Sequence, residues 1–442
     1  MINDKVNTNR RSLLHFIFII LHFTFLFSCS VSKKISKQAN NILINDTAIS
    51  KGHIGISIYE PATGAYWYNY NADKYFIPAS NTKLFTLYAG MKYLGDSLTG
   101  LRYNKVIENN TTYINPTGDP TFLDPAFAYQ PVLEFLQKQQ AININRQNTS
   151  FDIYGKGWAW DDYTETFMTP RSSFPIYKNL INIKWQQADS ILIYPKYFQK
   201  EIESSGRFPE GFDLITQLGN NHLMLLQGNK KNKTVPFDSN ISSVIDLLKD
   251  TLKIKNISSN IENIFKGISI IHSQPSDSLF KPMMHNSDNF FAEQTLLMAS
   301  NEKLGYMSDE TMIDTLLKSD LKNVPQKPRW VDGSGLSRYN LFTPNSFVYI
   351  LEKMKNEFGI DRLKIIFPTG NEGSLKNYFI ENSSHIYAKT GTLSNNCALS
   401  GFLVTRHGKL LIFSILANNY QTAATPVRRA VEKFLTSIIE KY

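Results

Sequence analysis

Apolar residues recur along this chain with two different periods, and the switch between them outlines a fold. Ile54, Ile56 and Ile58 alternate with Gly55 and Ser57, and Pro61-Ala-Thr-Gly64 supplies turn chemistry before Ala65 to Tyr70. That pattern predicts a β-hairpin. From Ser80 the period lengthens: Leu84, Leu87, Tyr88, Met91 and Leu94 follow helical spacing, with Gly95 as the stop. Ser80 therefore opens a helix, and Lys83 lies one turn on along the same face. Helical spacing returns over Asn289 to Ala299 and over Pro344 to Phe358. Ile386 to Thr392, Ala398 to Thr405 and Lys409 to Leu416 read as consecutive strands, the last two joined at Arg406-His-Gly408. Pro426 opens a final helix with Val427, Val431, Phe434, Leu435 and Ile438 on one face. Strands early and late with helices between them predict an α+β fold, in which an antiparallel sheet is completed from both ends of the chain and covered by helices.

The stretch from 100 to 268 has another texture, rich in asparagine and punctuated by turns at Asn115-Pro-Thr-Gly118 and Asp119-Pro120. Trp158, Trp160 and Trp185, three of the five tryptophans, fall here and predict a small core of its own. We read 100–268 as an inserted β-rich region within a catalytic domain made of 49–99 and 269–442. Gly228-Asn-Lys-Lys-Asn-Lys233 reads as a solvated loop. A length of 442 residues fits two or three domains.

Lys5, Arg10 and Arg11 precede an apolar run from Leu13 to Phe27, shorter than the roughly 20 residues that span a bilayer. Residues 1–28 read as a signal peptide. The run ends Leu26-Phe-Ser-Cys29, which resembles the lipobox of bacterial lipoproteins, although Phe27 is bulkier than that pattern usually shows. A lipid on the Cys29 thiol and an acyl chain on its amine would give the two anchors that hold a protein stably on a membrane. Residues 29–48 read as a polar tether. The second cysteine, Cys397, is left without a partner, so the chain has no disulfide framework and Cys397 reads as a small buried hydrophobe.

Composition adds less. There are 47 basic against 38 acidic residues, a net charge of +9. Attraction to an anionic envelope is one reading; an Asn-, Lys- and Ile-rich composition of the kind AT-rich codons produce is the other. Basic residues are not interleaved with aromatics in runs, which argues against nucleic acid. His-Glu-x-x-His and zinc spacings are absent, as are Gly-x-Ser-x-Gly, a P-loop and a dinucleotide fingerprint. No metal and no cofactor are expected. His285 reads as a capping or surface residue.

Three short strings carry the chemistry: Ser80-Asn-Thr-Lys83, Ser287-Asp-Asn289 and Lys389-Thr-Gly391. Each alone is cheap; Ser-x-x-Lys recurs at Ser30, Ser278, Ser300 and Ser319, and Ser-x-Asn at Ser258 and Ser394. In this order they supply a nucleophilic hydroxyl, a lysine to deprotonate it, polar relay groups and a strand edge with a cation, the parts of an acyl-transfer site built on a Ser-Lys pair. Lys83 is placed on a strongly apolar helix that would bury it. Acting as a base near neutrality requires its pKa to fall by about 3 units, roughly 4 kcal/mol. The Ser80 N–H at a helix start and the Thr392 N–H on the strand are candidate oxyanion donors. Helix capping is the competing reading of Ser287 and Asn289.

With these strings placed, the chain resembles the low-molecular-mass class C penicillin-binding proteins, the D-alanyl-D-alanine carboxypeptidase/endopeptidase family. Pro78-Ala-Ser-Asn-Thr-Lys-Leu84, His285-Asn-Ser-Asp-Asn-Phe-Phe-Ala-Glu293, Asp332-Gly-Ser-Gly-Leu-Ser-Arg338-Tyr-Asn340 and Ala388-Lys-Thr-Gly-Thr-Leu393 are close to its motifs. Gly118-Asp-Pro120 and Trp158-Ala-Trp-Asp-Asp162 are fainter echoes. The resemblance implies a penicillin-binding/β-lactamase-like transpeptidase fold and a serine DD-peptidase acting on peptidoglycan stem peptides, inhibited by β-lactams and facing the periplasm. It implies Ser80 as nucleophile, Lys83 as base, Ser287, Asn289 and Lys389 as catalytic partners, and Thr390, Gly391 and Thr392 along the substrate. It also implies Arg338 and Asp162, or Asp161 in its place, at the charged end of a diaminopimelate side chain. The long separation of Ser80 from Ser287 and the lack of a Glu-x-x-Leu-Asn segment argue against a class A β-lactamase. A β-lactamase or esterase on the same scaffold, or a peptidoglycan-binding envelope lipoprotein that no longer cuts, are the other readings.

Overall fold

The computed structural model describes residues 31–442 apart from 107–109, 147, 187–189, 205–211, 217–220, 228–231 and 262–267. The signal peptide, Cys29 and most of the basic loop at 228–233 lie outside the described residues. Five strands make one antiparallel sheet in the order Ile386–Leu393, Asn396–Val404, Leu410–Asn418, His53–Glu60, Ala65–Tyr70. The early hairpin and the late meander meet where His53 lies opposite Asn418 and Ile56 opposite Ile415. Gly408 takes φ 79° in the turn between the last two strands, a conformation that favours glycine.

Successive side chains of a strand point to opposite faces, and here both faces are covered. On one, Ile54, Ile56, Ile58, Phe413 and Ile415 pack with Val427, Val431, Phe434, Leu435 and Ile438 of the Ala424–Lys441 helix. On the other, Phe402, Ile412 and Leu416 pack with the Lys83–Tyr93 and Pro344–Phe358 helices. The Lys83–Tyr93 helix is buried from Lys83 through Met91 on every side, so it forms the spine of the helical layer. It ends at Leu94, with Gly95 beyond it at φ 66°.

The segment expected as a tether is structured. Residues 31–39 are helical and run into a π turn at Asn40–Ile44, and Ile35, Ala39 and Leu43 are buried against the sheet. Their spacing of four is a narrow apolar stripe, masked in the sequence by the Lys, Gln and Asn around it.

The strands Ser97–Val106 and Ser269–Pro275 pair side by side, Leu101 opposite Ile271, so the chain enters and leaves the intervening region at one place. With Thr111–Pro116, Ala141–Asn145 and Asn256–Asn260 they make a second five-stranded sheet. Its core is Leu101, Ile114, Ile142, Ile144, Leu247 and Leu248 with their neighbours. The tryptophans do not build that core. Trp158 packs with Met168 and Leu336, Trp160 is 76% exposed, and Trp185 lies half-buried at the core's margin. The aliphatic strand residues do the work, because the segment holding Trp158 folds back toward the helical layer.

Candidate active site

Ser80 stands on a 3-10 turn, Ala79–Thr82, directly ahead of the α-helix that begins at Lys83. Ala79 has φ 47° and its carbonyl abuts the Asp332–Asn340 loop. Ser287 also has a positive φ, 56°, in the short link between the Ser276–His285 and Asn289–Leu304 helices. Strained residues of this kind persist where the surroundings over-determine them. The N-cap of the second helix is Asp288, which accepts from Phe291 N at 2.9 Å. Capping therefore occupies Asp288 and leaves the side chains on either side of it free for the site.

Lys83 is fully buried and its Nζ has three partners: Ser80 Oγ at 3.0 Å, Asn289 Oδ1 at 2.6 Å and the Ser334 carbonyl at 2.8 Å. Two of these are pure acceptors and take N–H donors; the third is a hydroxyl. An ammonium can donate to all three, and a neutral amine can give its two hydrogens to the pure acceptors and turn its lone pair to the Ser80 O–H. Burial lowers its pKa to about 8, with the charges of Asp332, Glu293 and Asp288 pulling the other way. Asn289 is itself oriented, because its Nδ2 donates to the Phe167 carbonyl at 2.8 Å.

Lys389 is equally enclosed. Its Nζ lies 2.8 Å from Ser287 Oγ and 2.8 Å from the Thr390 carbonyl. Burial first, then Lys83 and Arg428, hold its pKa well below the ordinary lysine value. It points at Ser287 rather than lying open to substrate. The strand that bears it is the edge of the main sheet, and it abuts the Ser80 turn. A Cβ on Gly391 would come within 2.6 Å of the Pro78 carbonyl. Asn81 closes the seam: its amide donates to the Lys389 carbonyl at 2.8 Å and accepts from Ser400 Oγ at 2.7 Å.

A cleft of about 490 Å³ opens over these groups, lined by Ser80, Ser287, Asn289, Asp162, Arg338 and Thr392 among others. Of the neighbouring acids it is Asp162, not Asp161, that lines it. Thr390 and Gly391 do not. Strand alternation turns Thr390 into a small apolar cavity beside Tyr378 and Cys397, and Gly391 is spent on the turn. Cys397 is buried, and burial pushes its thiol up. His285 ends its helix outside the cleft lining, and burial lowers its pKa.

The D-Ala-D-Ala carboxypeptidase 3 (S13) family model matches residues 36–438. The chain belongs to this S13 family. It is 25% identical over 410 residues to the D-alanyl-D-alanine carboxypeptidase DacB of Haemophilus influenzae, covering 80% of this chain and 83% of that protein. It is 22% identical to the penicillin-sensitive carboxypeptidase A of Dictyostelium discoideum, over 94% of this chain and 96% of that one. The fold is that of penicillin-binding protein 4 from Haemophilus influenzae, with a TM-score of 0.71 at 20% identity, covering 92% of this chain and 99% of the other. A predatory endopeptidase from Bdellovibrio bacteriovorus, in complex with an immunity protein, aligns with a TM-score of 0.52 at 15% identity over 88% of this chain and 93% of its own.

Three residues of this S13 member were not singled out by sequence reasoning. Asp332, fully buried, accepts from Gly335 N, Ser337 N, Asn340 Nδ2 and Trp158 Nε1, all between 2.7 and 2.9 Å. It thereby fixes the loop whose Ser334 carbonyl meets Lys83. Glu293 and Arg171 are buried behind it. Asp332 and Glu293 both stand inside quoted motifs, so the signal was there. What the string cannot show is that an acid four residues past Asn289 faces inward.

Proposed function

We propose that this protein is a serine-type D-Ala-D-Ala carboxypeptidase and DD-endopeptidase that cleaves peptidoglycan stem peptides through an acyl-enzyme on Ser80. The observation that carries the reading is the fully buried Lys83 Nζ held 3.0 Å from the Ser80 hydroxyl by Asn289 and the Ser334 carbonyl. Lys83 takes the hydroxyl proton as Ser80 Oγ attacks the carbonyl before the terminal D-Ala. The Ser80 and Thr392 N–H groups receive the developing oxyanion; losing one such donor costs about 2.7–4 kcal/mol of barrier. Ser287, shared with Lys389, passes a proton to the departing amine. Water then resolves the ester, with Lys83 again accepting the proton. Arg338 and Asp162, both lining the cleft, receive the charged end of a diaminopimelate side chain. β-Lactams acylate the same serine in this cleft.

The substrate requires an exported enzyme. Cys29 would carry the lipid that tethers it to a membrane, and loss of labelled palmitate incorporation in Cys29→Ser checks that anchor. The central test is labelling with fluorescent penicillin, mapping of the adduct by mass spectrometry, and release of D-Ala from a pentapeptide muropeptide. The expected result is adduct on the Ser80 peptide, with both activities lost in Ser80→Ala. Adduct elsewhere overturns the site. Rapid nitrocefin turnover without a lasting adduct points to a β-lactamase, and binding of muropeptide without D-Ala release points to a non-cleaving envelope protein.

A further inference from the structure

Glu293 lies one helical turn beyond Asn289 on the Asn289–Leu304 helix and is fully buried, yet the steps above give it no task. Its Oε1 accepts from the Ser334 N–H at 2.7 Å, and its Oε2 stands 3.4 Å from Arg171 Nη1. Ser334 is the residue whose carbonyl receives Lys83 Nζ. A carboxylate, one residue of main chain and the amine thus form a continuous line. Arg171 is as enclosed as Glu293, held by Asp309 at 2.5 Å and by the Asp152 carbonyl at 2.9 and 2.6 Å. The charged groups around Glu293 come from four separate elements: Arg171 from the inserted region, Asp309 from the start of the Asp309–Lys318 helix, Asp332 from its loop, and Lys83. A carboxylate that merely joined helix to loop would be an expensive choice beside two other acids, since a neutral amide could take the Ser334 N–H as well.

We propose that Glu293 is a positioning residue for Lys83: it holds the loop that presents the Ser334 carbonyl, and its charge sets the pH at which the amine is free to take the Ser80 proton. This rests on the reading of Lys83 as the base. Burial drives the amine toward its neutral form, and the charges of Asp332, then Glu293 and Asp288, oppose it, with the Lys389 amine on the other side. Burial, then Asp332, raises Glu293 to about 7, with Arg171 working against them. The charge beside Lys83 therefore changes across the neutral range.

Glu293→Gln keeps an acceptor for Ser334 N and removes the charge. The assay is the second-order acylation rate with a chromogenic β-lactam, from about pH 6 to about pH 10. In the parent enzyme the rate rises with pH along a limb set by Lys83. In Glu293→Gln the midpoint of that limb moves to lower pH by roughly half a unit, a gain of about threefold on the limb itself. Glu293→Asp retains the charge and brings the midpoint back toward the parent value. Asp309→Asn removes a charge that raises Glu293, leaves that carboxylate more fully ionised, and so moves the midpoint slightly to higher pH, which supplies the reading should the glutamine variant not fold. A midpoint unmoved in both charge-removing variants, with only the plateau lowered, overturns the proposal. A parent profile without any such limb, or full acylation by Lys83→Met, overturns the assignment of Lys83 as base and this inference with it.

Discussion

Burying Lys83 has a thermodynamic consequence whatever its part in catalysis. Its pKa falls from 10.5 to about 8 in the folded protein because the side chain is fully buried. That shift is worth about 3 kcal/mol. Below pH 8 the amine is protonated in both folded and unfolded chains, so the folded state bears the whole cost. Between about 8 and 10.5 the folded chain has released the proton and the unfolded chain has not, so stability rises with pH; above 10.5 the cost is gone. The same shift raises the free amine at pH 7 from about one in three thousand to about one in ten, roughly 300-fold. Lys83→Met removes the titrating group. It also leaves Asn289 Oδ1 and the Ser334 carbonyl without this donor, a loss of about 1–3 kcal/mol each that does not vary with pH. The pH dependence therefore separates the two effects where a single measurement could not. Urea unfolding of parent and Lys83→Met, at pH 7 and at pH 10, is expected to show the parent gaining roughly 2–3 kcal/mol relative to the variant as pH rises. Groups remote from Lys83 titrate alike in both proteins and cancel; Lys389, which Lys83 helps to hold low, is less depressed in the variant and adds to the difference in the same direction. A difference that stays flat between the two pH values refutes the argument, because the folded protein then does not hold Lys83 with a depressed proton affinity.

Gly391→Ala sets a methyl 2.6 Å from the Pro78 carbonyl and 3.1 Å from Asn81 N; we expect a stability loss of about 1–3 kcal/mol in urea and a fall in penicillin acylation as strand and turn separate. Trp158→Phe deletes the 2.9 Å bond to Asp332 and should cost about 1.5–3 kcal/mol, as hydrogen bonds to charged groups do, read by the same melts. Arg338→Ala should raise KM several-fold for a peptide bearing diaminopimelate with kcat little changed. A peptide with a neutral side chain at that position should respond less, and equal effects on both would exclude a charge contact.

The parts of this fold that were legible in the sequence are those in which a period and a turn coincide. Ile54, Ile56 and Ile58 before Pro61-Ala-Thr-Gly64, and the late strands around Arg406-His-Gly408, take the places that alternation assigns them. Ser80, Lys83, Ser287, Asn289 and Lys389 were legible only as a set, three cheap strings standing in one order, and the fold brings their side chains together. What escaped depends on distance in space. Ile35, Ala39 and Leu43 are apolar at the right interval, but only the sheet face they help to cover gives that stripe a purpose. Trp158 counts as core material in composition, while its indole N–H is committed to a carboxylate more than 170 positions on. Thr390 and Gly391 belong to the third motif by spelling. One faces the far side of its strand and the other exists to admit a neighbouring carbonyl.

The chain between the paired strands Ser97–Val106 and Ser269–Pro275 takes hold of the second motif at consecutive points. Phe167 gives its carbonyl to Asn289. Arg171 reaches Glu293. Lys178 pairs with Asp288 Oδ2 at 2.5 Å and lies 4.4 Å over the Phe291 ring. To do so the chain runs through Tyr177, Lys178 and Asn179 with φ of 53°, 58° and 53°, three left-handed residues in succession. Each such residue costs about 1–2 kcal/mol, so the turn persists only because its contacts outweigh the strain. Asp288 meanwhile spends its other oxygen on the cap at Phe291 N. The Lys178 contact therefore acts on the residue that sets both the start of the helix and the φ 56° bend at Ser287. Strand Ile386–Leu393 packs directly against the Ser80 turn, whereas Asn289 and Asp288 are held by Phe167 and Lys178 from the intervening chain. A region added only for substrate reach would touch the rim of the cleft; this one holds up its wall.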